Sequence, residues 1–203
     1  QAALAQMALA AGLYALPVIG DKKVPQYGFW EPNKILHTLP QNIESLKKSK
    51  LVIIIFYRSF IMANDLNPIR KLYYSFKKNN ITSVGIFLPS LKEPKSAKWV
   101  EDQISNLSPS CIVNATAFSA KNKNGVSPLD IGNVPIFQIA LSTNDKKSWE
   151  KEDRGLSPTN MAMHVALPEI DGRIFAGVAS FKKKMPTDFK LQFNEIKHET
   201  YKD

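Results

Sequence analysis

Glu169, Asp171 and Arg173 place two carboxylates and a guanidinium within five residues, and His164 stands five residues before Glu169. Carboxylates and an imidazole are the side chains that exchange protons most readily near neutral pH, and an imidazole nitrogen also binds divalent metal ions. His164, Glu169 and Asp171 are therefore the catalytic candidates. A transition-metal site needs three or more preorganised ligands, which this neighbourhood does not visibly supply, so no metal ligands are assigned. A second group follows apolar runs: Tyr57 and Arg58, then Ser90 and Lys92, Asn114 and Thr116, Ser142 and Thr143. Arg58 as a planar fork and Lys92 as a point charge would suit the carboxylates of an acidic substrate. Tyr57, Arg58, Ser90, Lys92, Asn114, Thr116 and Arg173 are the substrate-binding candidates. No nucleophile elbow, metalloprotease pattern or Walker phosphate loop is present.

The elements that must position these groups are legible in the apolar pattern. Residues 51–56, LVIIIF, are too few for a typical helix and too apolar for a wet face, which predicts a central buried strand. Asn67-Pro68 reads as a cap followed by a helix-opening proline, and Ile69, Leu72, Tyr73 and Phe76 recur at helical spacing behind it. Residues 83–88 form a second strand, and Ser96 caps a helix presenting Ala97, Val100, Ile104 and Leu107. Residues 111–114 and 134–141 are further strands, separated by a polar loop. Ser157-Pro158 opens another helix, and residues 173–181 return to strand composition.

Strands alternating with helices imply βαβ units and right-handed crossovers. The expected fold is an open, doubly wound, mostly parallel α/β sheet with Rossmann-like or flavodoxin-like layers. In such a sheet ligands bind beyond the carboxyl ends of the strands, which selects the strand-end residues above. The expected organisation is a helix and connector over 1–24, with the helix at 2–11, one α/β domain over 25–181, and a charged extension over 182–203. An aromatic strand is expected between Pro25 and Pro32, and a short helix over 42–50.

The acidic turn has two placements. If the helix from Pro158 runs through residues 165–167, the turn joins helix to strand and lies away from the crevice, with Arg173 pairing internally with Glu169 and Asp171, and Gly172 supplying a positive φ. If 163–167 is a strand, as its alternating apolar spacing permits, the turn joins the crevice. The helical placement is preferred.

With 203 residues and 44% hydrophobic content the chain can bury a substantial core. Its net charge of +9 lies in short separated lysine runs without an aromatic ladder or basic helix, which fits a solvated surface and not a nucleic-acid partner. One cysteine, Cys111, excludes an intrachain disulfide and fits a reducing, cytoplasmic setting. The apolar residues 2–16 are too short to span a bilayer and follow no basic segment, so no membrane span is expected. The first residue is glutamine and the last carry no terminating signal, which reads as a piece of a longer chain.

The run from Gly155 through Lys182, GLSPTNMAMHVALPEIDGRIFAGVASFK, resembles a signature of the large subunit of cobaltochelatase, related to the large subunit of magnesium chelatase. The pattern Gly-Leu-Ser-Pro, Ala-Met-x-Val-Ala-Leu-Pro-Glu-x-Asp-Gly-Arg-Ile, Ser-Phe-Lys is matched in order. Shorter blocks at Phe56-Tyr57-Arg58, Pro89 to Pro94, Asn114-Ala115-Thr116-Ala117-Phe118 and Pro135 to Gln138 look similar too. Arg173 resembles the cobalt branch more than the magnesium branch. Two departures stand out: Asp65-Leu66-Asn67-Pro68 lacks the family's Gly-Asn-Thr, and His164 replaces a common asparagine. The resemblance implies one domain of a large, substrate-binding subunit that inserts cobalt into hydrogenobyrinic acid a,c-diamide in cobalamin biosynthesis. It implies as partners the subunit's remaining domains, an AAA+ ATPase subunit with its own partner subunit, and the corrin precursor. Cobalt is then a substrate, ATP and magnesium belong to the partner subunits, no cofactor is expected in this piece, and the piece alone should be inactive. Magnesium insertion into protoporphyrin, or a non-catalytic scaffolding module, are the alternatives.

Overall fold

A computed structural model of the chain describes residues 24–32, 34–36, 50–151, 155–184 and 196–200, with residues 7, 10–12 and 38 besides. The helices expected over 2–11 and 42–50 lie almost entirely outside the described residues. In chain order the elements are β1 (Gly28–Glu31), β2 (Lys34–Leu36), β3 (Leu51–Tyr57), α1 (Arg58–Met62), α2 (Asn67–Lys78), β4 (Thr82–Leu88), α3 (Pro94–Leu107) and β5 (Cys111–Asn114). They continue with β6 (Ile136–Asp145), α4 (Lys146–Lys151), a helix α5 over 158–170, β7 (Ile174–Lys184) and β8 (Ile196–Thr200).

The strands form one sheet in the order β2-β1-β4-β3-β5-β6-β7-β8. The five strands β4-β3-β5-β6-β7 are mutually parallel, and β1, β2 and β8 add antiparallel edges. This parallel order, 2-1-3-4-5, is the flavodoxin-like winding. The expected open α/β sheet is thus present, with a hairpin from Gly28 to Leu36 extending it where only a single aromatic strand was expected.

β3 is apolar at every position because both faces of the sheet are covered. Ile53 and Ile55 join Val84, Ile86, Val100, Ile104 and Leu107 in one core, on the side of α3. Val52, Ile54 and Phe56 join Ile69, Phe87 and Val113 in the other, where Leu72, Tyr73 and Phe76 of α2 pack. One glycine is required by close approach: a Cβ on Gly85 would sit 3.0 Å from the Trp30 carbonyl oxygen and 2.9 Å from its ring. Its bare backbone lets the buried Trp30 lie across β4.

Three details differ from expectation. Asn67 lies inside the first turn of α2, with Leu66 as the cap residue, because Asn67 uses its side-chain oxygen to accept from Arg70 at 3.1 Å. Glu93, not Ser96, caps α3: its carboxylate accepts from the backbone N–H groups of Lys95 and Ser96, satisfying two donors that a hydroxyl could not reach together. The last parallel strand, expected to end at residue 181, runs on to Lys184, and β8 pairs with it from Ser180 to Lys184. The cap at Ser157 is as expected, accepting from the Asn160 N–H at 3.3 Å.

Candidate functional site: a crevice at the switch point of the sheet

From β3 the chain winds first to β4 on one side and then to β5 on the other. The loops leaving β3 and β5 therefore diverge, and a crevice opens between them at the carboxyl edge. It encloses about 370 Å³ and is lined by Tyr57 and Phe60, by Phe118, by Met163 and His164, and by Lys182. Lys182 reaches across from β7 to the buried Asp65 at 3.1 Å. A second hollow of about 300 Å³ shares Tyr57, Ala117 and Phe118 with the first and is closed by Ser90, Lys92 and Leu167.

The strand-end candidates separate into four groups. Tyr57, Ser90 and Lys92 line these hollows. The Tyr57 hydroxyl, however, donates to the Ala117 carbonyl at 2.9 Å and accepts from the Ala117 N–H at 3.1 Å, so it anchors a loop while its ring forms the wall. Burial raises the pKa of that phenol from its ordinary value. Arg58 does not join them: its guanidinium donates to the carbonyls of Pro25 and Val24 at 2.8 and 2.9 Å, tying down the segment that precedes β1. Asn114 and Thr116 lie beneath the surface in a closed network. Asn114 donates to Gln138 at 2.7 Å, Gln138 donates to the Thr116 carbonyl at 2.7 Å, and the Thr116 hydroxyl donates back to Asn114 at 3.0 Å. Ser142 is buried and accepts from the Asn144 N–H, and the side chain of Thr143 lies outside the described residues.

Helix α5 decides where the acidic turn falls. It is α-helical over Pro158–Met161 and Leu167–Ile170, with a π-turn at Ala162–Ala166 in which the Leu167 N–H reaches back to Ala162. Pro168 accounts for the widening, because an α-helical register would drive its ring into the His164 carbonyl. In the π register residue 168 would donate to Met163, and a proline cannot. The Met163 carbonyl is instead taken by the N–H of Phe118 at 2.8 Å.

The turn that ends α5 lies beside the start of β6 and β7, where Asp171 and Gly172 line a separate hollow. Asp171 and Arg173 are 6% and 3% exposed and form an ion pair at 2.9 Å. Asp171 also accepts from the Ser119 hydroxyl and the Ala120 N–H, both at 2.6 Å. Arg173 donates to Gln138 at 3.1 Å and to the Phe118 carbonyl at 3.4 Å. Burial pulls the Arg173 guanidinium below its ordinary pKa and the Asp171 charge opposes that pull. Gly172 takes the positive φ, +81°, that the tight turn requires. Glu169 is exposed and takes no part in the Arg173 pair. Of the three catalytic candidates, only His164 therefore lines the crevice.

His164 is 6% exposed and its Nδ1 has no hydrogen-bond partner. Among the described residues no group of three or more His, Cys, Asp or Glu side chains could hold a metal ion. Burial lowers the imidazole pKa from its ordinary 6.5. The unfolded chain therefore takes up this proton at a higher pH than the folded one. His164 should cost stability as pH falls through about 6.5 and below, by up to about 1.4 kcal/mol per pH unit, and cost none well above it. Denaturant unfolding between pH 7.5 and 5 should show this slope in the native chain and a shallower one in His164→Asn. Equal slopes would rule out a buried neutral imidazole.

The sequence pattern pointed to neither Phe118, Phe60 and Met163 nor the Asp65–Lys182 pair. The last joins residues 117 apart in the chain and had no local signal.

An open α/β sheet with a crevice at its switch point defines a doubly wound α/β domain. The family follows from comparison with known proteins: residues 4–202 match the CobN/magnesium chelatase family, and the chain belongs to it. It is 30% identical over 149 residues to the aerobic cobaltochelatase subunit CobN of a Sinorhizobium species, and 33% identical over 133 residues to that of Pseudomonas aeruginosa. These matches cover 72% and 65% of this chain but 12% and 11% of the relatives, so the chain spans a small part of their length. The catalytic subunit of cobaltochelatase from Mycobacterium tuberculosis has the same fold over 98% of this chain and 16% of that one, with a TM-score of 0.68 at 21% identity. No described helix is long and apolar enough to cross a membrane.

Proposed function

We propose that this domain supplies one wall of the tetrapyrrole site in the large subunit of a cobaltochelatase, acting in the cytoplasm in cobalamin biosynthesis. The observation that carries this reading is the pair of hollows at the switch point, in a chain of this family. They combine apolar walls with the Lys92 ammonium at the rim, which suits a corrin precursor with an apolar ring and peripheral carboxylates. On this reading cobalt is delivered as a substrate to hydrogenobyrinic acid a,c-diamide. An AAA+ subunit and its partner subunit hydrolyse ATP with magnesium, and further domains of the same subunit close over the ring. Stripping water from the metal while the ring loses its pyrrole protons demands an enclosed site, so this domain alone is not expected to insert the metal.

Titrating the chain with hydrogenobyrinic acid a,c-diamide, followed by the ligand's visible absorbance, should give a saturable shift in the micromolar range. Stronger binding of protoporphyrin would move the reading to the magnesium branch, and no shift with either would overturn a substrate role. The scaffolding alternative has its own observation. Ile170 and Ile174 are 69% and 52% exposed beside the acidic turn, a surface fit to meet another domain.

A further inference from the structure

Phe118 lines both hollows of the crevice. Among the described residues five other than glycine have a positive φ: Asn64, Asn80, Ser108, Phe118 and Asn133. Asparagine tolerates that conformation through its short polar side chain, and serine is small; a phenylalanine at +67° is an outlier. The residue is only half covered in return, being 48% exposed. An unfavourable backbone that leaves a large apolar group in water persists only where the surroundings over-determine it.

The surroundings do so residue by residue. Ala117 is held on both its N–H and its carbonyl by the Tyr57 hydroxyl. Phe118 is held by the Met163 carbonyl, which Pro168 leaves vacant, and by Arg173. Ser119 and Ala120 are held by the two oxygens of Asp171. The signature residues Pro168, Asp171 and Arg173 thus converge, from the far end of α5, on one four-residue loop. That loop sets the Phe118 ring between the two hollows, which meet along Tyr57, Ala117 and Phe118.

We infer that Phe118 is a stacking platform: the flat face of a conjugated, carboxylate-bearing macrocycle lies on its exposed ring, with Lys92 available to the carboxylates from one side. Asp171 and Arg173 are then positioning residues that act through this loop. The inference rests on the reading of the domain as a tetrapyrrole wall and assigns the contact that reading lacks.

The test is a titration of the native chain, Phe118→Ala, Phe118→Gly and Phe118→Tyr with hydrogenobyrinic acid a,c-diamide, alongside a thermal melt of each. Loss of an aromatic partner should weaken binding about tenfold in the alanine and glycine variants, with tyrosine within about twofold of the native chain. Glycine accommodates the left-handed backbone, so Phe118→Gly should melt no lower than the native chain while binding less well. A purely structural phenylalanine would give the reverse, a lower melting temperature with binding unchanged, and would overturn the inference. Native binding with equal affinity in all variants overturns the platform and leaves the tetrapyrrole wall standing. Absence of binding by the native chain removes both.

Discussion

Arg173→Ala is expected to destabilise the chain by about 3–5 kcal/mol, the cost of leaving a buried carboxylate without its counter-charge. Asp171 is buried and keeps two hydrogen bonds from the 117–120 loop, but no other cation pairs with it among the described residues. Gln138 loses a donor to its Oε1 at the same time, and its remaining partner there, Asn114, belongs to the closed network under the crevice. The loss therefore propagates to the loop that carries Phe118. Urea unfolding monitored by circular dichroism measures it as a shift in midpoint at unchanged slope. A double variant, Arg173→Met with Asp171→Asn, removes both charges and should recover part of the loss, because an apolar or neutral replacement avoids the stranded ion. A single variant within 1 kcal/mol of the native chain would show that the pair contributes little to stability.

Phe56→Ala should cost about 3–5 kcal/mol by the different route of an unfilled cavity. The Phe56 ring is completely buried, meets Trp30 edge-on at 5.9 Å and lies 6.4 Å from Phe87. Collapse around the missing ring is hindered because β3 is hydrogen-bonded on both sides, to β4 and β5, and cannot shift without breaking a ladder. Trp30 cannot tilt far either, being packed against the bare backbone of Gly85. Guanidinium unfolding gives the value directly; a loss below about 1.5 kcal/mol would mean that the core on this face refills easily. Phe56 immediately precedes Tyr57, so a measurable weakening of ligand binding should accompany the lost stability.

How far the sequence reaches differs from element to element. The run LVIIIF is legible as a central strand because a segment covered on both faces must be apolar at every position, a property of the local composition alone. Ser157-Pro158 is legible because a cap and its proline act within one turn. The Asn67 and Ser96 caps were misplaced for the opposite reason: several nearby polar residues compete for the same backbone donors. At α3 the longer Glu93 carboxylate reaches two of them, and at α2 Asn67 turns to Arg70 instead. Strand β8 went unforeseen because Ile196–Thr200 is polar and charged, as an edge strand can be.

Sequence by itself determined the family and the alternation of strands and helices; the internal pairing of Arg173 was one of two open placements, and it involves Asp171 without Glu169. Family and alternation depend on residue order, local propensity and short spacings, which the chain carries along its length. Which side chains share the crevice was decided only by the tertiary structure. The winding order sets β3 beside β5 and opens the switch point between them, and nothing local records that neighbour. It also brings Lys182 to Asp65, turns Arg58 away toward Val24 and Pro25, and carries Asp171 and Arg173 to the loop whose tip is Phe118. Those contacts join residues between 33 and 117 positions apart, a range over which composition and periodicity hold no information about who meets whom.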